Sequence, residues 1–579
     1  DELLIDTDAA YQASSKGESK IIRFVTPNNW SGARVVLNVK DTNGNLANDT
    51  ALGSLKARPD LSGSNEGSYS FPSVVTVPFD TSDLASDSSY YFSLSANEDL
   101  QYRFYADSVL LRDISWDDGS TDAGTSSVSQ PNEYGGRFLY KINTSLSEKG
   151  AWRTALAQIQ GDSGLLLKKG GDPLFTSVNF PYKSERVGNA DGLVLNDNEF
   201  SDNQDWYILV DSLPGSQWSL VSGDIYVNDL GTLADHSSTA SSASNITVGP
   251  EGIAYFKTEV PVDTKAWRLS TAELTNNIYV EKGAAPVVRG ASKWFEKKEE
   301  SSGQMLLVPS YLENGLYYVG VTAAPGTVIS LDSRQQEIRT PSLSSAYSGT
   351  DEFKFDVTGS DDNGYGYVTY QVDVPVDQIA WQVNMEPTSG EADVYLRQGE
   401  VANRYYNSGL SEAPNTIIDS IVQVPPTLTN GTWYITVRGT GSFSYSLSSN
   451  NPDITPIDFI NETPIVNDLI NQSGWRYYKV SNITEQLNYL GWQLELAQQV
   501  AGAEIALRKN AVPGRWSYRA NGSESSSSST GYHLDKSTTE GFLQRQSQAA
   551  DIWYVGIYTP NQALGAFELT TTSIPYPDL

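Results

Sequence analysis

Apolar and polar residues alternate in short runs along almost the whole chain, as in Tyr367-Val-Thr-Tyr-Gln-Val-Asp-Val and Phe443-Ser-Tyr-Ser-Leu. Gly, Asn, Asp, Ser and Pro close these runs. A period of two bounded by turn residues predicts β-strands with one buried face, and helical periodicity is weak everywhere.

The strands recur in a fixed order. An aromatic pair leading an alternating run appears at Tyr90-Tyr91, Trp206-Tyr207, Tyr317-Tyr318, Trp433-Tyr434 and Trp553-Tyr554, at intervals of 116, 111, 116 and 120 residues. A second landmark, one aromatic early in another strand, falls at Phe24, Tyr140, Phe256, Tyr370 and Tyr478. A Trp follows it at Trp152, Trp267, Trp381 and Trp492. Between the two lies a third, a strand that stops at Gly or Asn: GLLLKKGG, NIYVEKGA, ADVYLRQG and AEIALRKN. Self-similarity of this kind marks one supersecondary unit copied along the chain. The spacing predicts an all-β protein of five tandem jelly-roll-like β-sandwich domains, as beads on a string or a rod, with boundaries near 113, 229, 337 and 451. The units are 1–112, 113–228, 229–336, 337–450 and 451–579. The polar stretches Asp117 to Ser127, Ala234 to Ser244 and Ser448 to Pro456 read as boundaries or exposed loops.

Composition narrows the partners. The chain has 579 residues and a net charge of −31, so its surface repels nucleic acid and anionic lipid. Cysteine is absent, which removes disulfides and thiolate chemistry. No apolar run reaches the ~20 residues of a membrane span, and a sequence opening on Asp1 reads as a mature protein or an excised portion.

The order of landmarks in the last copy, LINQSGWRYYKV, AEIALRKNAVP, DIWYVGIYT and AFELTT, resembles the bacterial pre-peptidase C-terminal domain. The fourth copy, with ADVYLRQG and GTWYITVRGTGSFSYSLSS, resembles it equally. The third copy fits acceptably and the first two only in outline. The resemblance implies a small jelly-roll-like sandwich with an accessory, non-hydrolytic role beside secreted proteases and other exported enzymes. Related collagen-binding domains grip polymers, and in some calcium sits near the linker.

Candidate chemistry is sparse. Two histidines, His236 and His533, lie in Ser-rich stretches without a nucleophile's setting, and GDSG at Gly161 to Gly164 occupies a turn before a repeated strand. The sequence contains neither a His-Glu-x-x-His zinc motif nor a Gly-rich phosphate loop. Acidic loops offer candidate calcium ligands, since hard cations need clustered oxygens: Asp41, Asn43 and Asp49; Asp197, Glu199 and Asp202; Asp361 and Asp362. These are also ordinary hairpin turns. Aromatics in the variable loop after the middle strand, Tyr182, Trp294, Tyr405, Tyr406, Trp516 and Tyr518, are the ligand or interface candidates, against the alternative that they cap the open end of each sandwich. Nine Asn-x-Ser/Thr sequons match the chain's richness in those residues.

Three functions compete. The first is a non-catalytic structural or adhesive protein of the cell surface or extracellular space, partnered by copies of itself, other surface proteins or a polysaccharide or protein polymer. The second is the accessory polymer-binding region of a secreted protease or glycoside hydrolase. The third, an enzyme in its own right, has only scattered aspartates and serines behind it.

Overall fold

A computed structural model describes residues 2–3, 12–26, 32–43, 52–58, 67–69, 74–80, 87–96, 99–108, 111–121, 128–132, 136–170, 181–185, 190–212, 216–272, 276–287, 303–341, 353–361, 366–414, 418–439, 441–458, 461–467, 475–480, 491–498, 504–514, 532–535, 539–545, 552–558 and 567–576. Among the described residues every regular element is a β-strand, and the strands form ten small sheets, two per domain. The chain is thus five β-sandwiches in series.

The fourth domain shows the plan. One sheet has the order Ile338–Arg339, Tyr367–Val374, Gly431–Gly439, Ala392–Gln398, Gly409–Ser411; the other has Phe355–Asp361, Phe443–Asn450, Trp381–Ser389, Asp419–Gln423. Neighbours are antiparallel except the first edge strand, where Ile338 pairs in parallel with Thr369. The other domains repeat this order; in the third, the first sheet has four described strands.

Alternation places the core between the sheets. In Phe443–Asn450, residues Phe443, Tyr445, Leu447 and Ser449 are buried while the residues between them are half-buried. Trp381 and Trp433 meet edge to face at the centre, with ring centroids 5.4 Å apart. The same encounter joins Trp152 to Trp206 at 5.0 Å and Trp267 to Tyr317 at 5.6 Å. The first aromatic of each recurring pair is therefore core.

Two backbone devices repeat with the strands. The turn residue after the middle strand is left-handed in four domains, with φ of 51° at Gly170, 80° at Gly283, 77° at Gly399 and 57° at Asn510. Only Gly, or Asn at modest cost, enters that region readily. The Trp strand also slips register six residues after its Trp, between Gln158 and Gln160 and between Pro387 and Ser389. Such bulges bend a strand and admit a proline that a regular ladder would reject.

The connections between domains are short. Two residues separate Ser216–Asp224 from Val227–Thr232 and Val328–Gln335 from Ile338–Arg339, and three separate Phe443–Asn450 from Ile454–Ile457. The polar stretches starting at Asp117 and Ala234 follow the first strands of the second and third domains, Leu111–Asp113 and Val227–Thr232, and the last two residues of the second stretch, Ala243 and Ser244, already belong to the next strand, Ala243–Thr247.

Candidate functional site

The short connections bring each domain against the next, and the contacts use the same positions each time. Ala151, Ala266 and Ala380 stand directly before the strand Trp and are buried although they point away from their own core. Around them the following domain supplies Ala285, Val401 or Val512, each two residues past the left-handed residue of the turn, and Tyr318, Tyr434 or Tyr554, the second aromatic of the pair. An outward residue of the preceding domain's edge strand, Val194, Leu306 or Val422, completes each cluster. The second aromatic, on the opposite face of its strand from the core aromatic, thus serves the neighbouring domain. In the first pair of domains, Gly136–Asn143 lies against Gly32–Asp41 and Val74–Asp80.

Polar locks accompany the apolar clusters. Arg397 donates to Pro309 O of the third domain and to Val401 O; Arg508 repeats this with Pro425 O of the fourth domain and Val512 O. Asn403 Nδ2 donates to Leu306 O at 2.9 Å. Between the second and third domains, Arg153 Nη1 lies 3.8 Å from Glu251 Oε1, while its Nη2 lies 3.3 Å from Asp117 Oδ2. There Gly192 comes so close to Glu251 that a Cβ would lie 2.3 Å from the Glu251 Cα.

At the third junction the surfaces part into a polar cleft of about 500 Å³, lined by residues between His236 and Val368. Arg334 Nε and Arg268 Nη2 both donate to the Asp332 carboxylate, and Arg339 pairs with Glu337 at 3.0 Å.

A second electrostatic cluster lies within the fourth domain. Asp419 is fully buried; its Oδ1 accepts from Ser411 Oγ at 2.6 Å and from Ala413 N at 2.7 Å. Tyr395 OH donates to Glu412 at 2.8 Å and lies 3.3 Å from Asp393. Burial, reinforced by the Asp419 and Glu412 charges, pushes the Asp393 carboxyl up to about 7. Burial likewise raises Asp419 to about 6, against the lowering by its bonds to Ser411 and Ala413. In the second domain, Ser184 Oγ donates to buried Asp191 at 2.6 Å in the corresponding place.

The candidates from sequence separate. Tyr182 is half-buried, 5.7 Å from Trp206 between ring centroids, and so joins the core. Tyr405 is exposed, while Tyr406 turns into the third junction with the Arg397 guanidinium 5.6 Å from its ring centre. Trp294, Trp516, Tyr518, Asp49 and Asp362 lie outside the described residues. Asp41 ends a strand and Asn43 is exposed in the turn after it. Glu199 accepts from Asn196 N within its own loop, and Asp202 accepts from Leu146 N, tying its loop to the one before the Trp strand. Asp197 is exposed, with its backbone N–H on Gly150 O. Asp361 is buried and accepts from Gly366 N. Among the described residues, no three histidine or acidic side chains gather in an arrangement that could hold a metal ion. Only Gly161 and Asp162 of the GDSG segment precede the strand; Ser163 begins it, in Ser163–Lys169, and is buried, with its hydroxyl 2.7 Å from that of Ser212.

No family model matches the chain, and no curated protein matches it. Solved structures do. A pre-peptidase C-terminal domain of collagenase from Bacillus anthracis is similar over 20% of this chain and 98% of its own, at 14% identity and a TM-score of 0.16. PliG of Aeromonas hydrophila, a periplasmic inhibitor of g-type lysozyme, is similar over 20% of this chain and 97% of its own, at 14% identity and 0.16. Lac15 from a marine microbial metagenome is similar over 56% and 88%, at 10% identity and 0.11. Likenesses of this size bear on neither substrate nor activity.

Proposed function

We propose that the chain is a non-catalytic structural or adhesive protein of the cell surface or extracellular space, a subunit of a layer, sheath or filament. One observation carries the reading: three successive junctions bury the same repeat positions. Domains that serve only as separate binding modules need no such joints, because default interdomain contacts leave relative motion free. Copies of the chain are the expected partners, with other surface proteins after them. Each copy carries −31, so divalent cations, calcium first, would offset repulsion between neighbours.

Electron microscopy and sedimentation velocity of the purified chain, with and without calcium, test this. Filaments or sheets support it. A chain that stays monomeric at high concentration with calcium present favours the alternative, the accessory polymer-binding region of a secreted protease or glycoside hydrolase.

A further inference from the structure

Resting on the assembly of copies proposed above, we infer that copies join head to tail: the first domain of one chain docks on the fifth domain of another through the joint that already links domains within the chain. The first domain presents the leading face of such a joint. In each later domain, the residue two before the strand partner of the second aromatic is buried: Leu139, Tyr255, Thr369 and Tyr477 are at most 2% exposed. Tyr255 and Tyr477 belong to the apolar clusters of their joints, and Leu139 lies on the strand that packs on the first domain. The same position in the first domain is Ile21, two before Arg23, which pairs with Tyr91. Ile21 is 49% exposed and Tyr91 half-buried. A single exposed apolar residue is ordinary; its place in the repeat singles this one out.

The polar part of the joint recurs as well. Arg397 and Arg508, which bind the preceding domain, stand opposite Tyr434 and Tyr554, and Arg58 stands opposite Tyr91 in the same register. The second and third domains have Lys168 and Glu281 there. Arg397 and Arg508 donate to main-chain carbonyls of the preceding domain, an acceptor that every residue supplies.

The fifth domain carries the trailing face. Leu543 pairs with Gln493 as Val422 of the fourth domain pairs with Gln382, and Gln544 pairs with Trp492 as Gln423 pairs with Trp381. Val422 is part of the joint between the fourth and fifth domains. Two positions differ, Gly491 for Ala380 and Arg545 for Val424. A joint between separate chains also lacks the roughly millimolar effective concentration that a short tether provides. It is therefore weaker than the internal joints and closes only in concentrated solution.

The chain has no cysteine, so single introduced cysteines report the contact. Full chains carrying Ile21→Cys and Leu543→Cys, mixed with calcium present, should cross-link through a short bismaleimide, and neither should do so alone. In sedimentation velocity, Ile21→Asp should weaken self-association about thirtyfold, the loss expected for a central contact residue, with the melting temperature unchanged. Mixed with Leu543→Asp, whose first domain is intact, it should give one heterodimer and nothing longer. Cross-linking of Ile21→Cys chains to one another, the mark of a head-to-head pair, overturns the inference. Filaments or sheets that Ile21→Asp leaves untouched overturn it too, while the structural role stands. A chain that stays monomeric at high concentration removes both.

Discussion

Arg153 of the second domain and Glu251 of the third face each other at 3.8 Å with side chains 0% and 4% exposed, so this ion pair crosses a domain boundary inside the protein. Asp117, also fully buried, holds the other end of the guanidinium. Removing one member of a buried ionic group leaves its partners charged without compensation, at a cost of ~3–5 kcal/mol. Arg153→Ala should therefore destabilise both domains at once. Hydrogen exchange of the full chain should show Ala151–Gln160 and Ile253–Val260 losing protection by ~100-fold or more, with fourth-domain strands unchanged. A loss confined to the second domain would mean that the pair does not couple the two.

Val512 is wholly buried where the fifth domain meets the fourth. Val512→Asp should separate the two domains, because a carboxylate without a partner resists transfer from water by several kcal/mol. Scanning calorimetry should then show an added transition at lower temperature, whereas Val512→Ala should cost only ~1.5 kcal/mol for the lost methyls. An unaltered trace for the aspartate variant would argue against a packed junction.

Three of the strand Trp residues have a hydroxyl partner. Trp152 Nε1 donates to Ser222 Oγ at 2.8 Å, Trp267 to Ser333 at 3.0 Å and Trp381 to Ser449 at 2.8 Å. Ser449 Oγ in turn donates a hydrogen bond to Phe353 O. Ser449→Ala strands a buried donor and a buried acceptor and should cost ~1–3 kcal/mol, against ~3–5 kcal/mol for Trp381→Ala. Denaturant titration followed by fluorescence would rank them; equal effects would deny the hydroxyl its role.

Acid should stabilise the fourth domain. Asp393 and Asp419 have carboxyl groups raised to about 7 and about 6, so the folded domain holds protons that the unfolded chain has released. Their contribution is complete below the ordinary carboxylate range near pH 4 and is lost as pH rises through 6 and 7. Protection of Ala392–Gln398 should increase from pH 8 to pH 5, once corrected for intrinsic exchange, and Asp419→Asn should flatten that rise. A profile identical in the variant would remove Asp419 from the account.

Much of the fold was legible because alternation and turn chemistry are local signals. The fixed spacing of the aromatic pairs revealed the repeat, and the Gly or Asn ending the middle strands announced a turn, whose residue is left-handed at Gly170, Gly283, Gly399 and Asn510. The junctions were not legible. An alanine before a tryptophan reads as an outward residue facing water, and only the adjoining domain buries Ala266 or Ala380. Tyr405 and Tyr406 were grouped as loop aromatics, yet one is exposed and the other enters the junction. The hydroxyl partner of Trp152, Trp267 and Trp381 did have a signal, a Ser recurring late in the closing strand, but in a chain so rich in serine it does not stand out. The cleft's walls come from segments separated by more than a hundred residues, so no local pattern encodes it.

The two- and three-residue connections between domains have a mechanical consequence. Pulled from its ends, a string of domains on long tethers first straightens its tethers at little cost, like an entropic spring. This chain has almost no such reserve at the three joints after the second domain. Tension must be borne at once by the apolar clusters and by the Arg397 and Arg508 bonds across the joints. Length would then be gained in steps, one joint at a time, and the chain would act as a stiff strut below the force that opens the weakest joint.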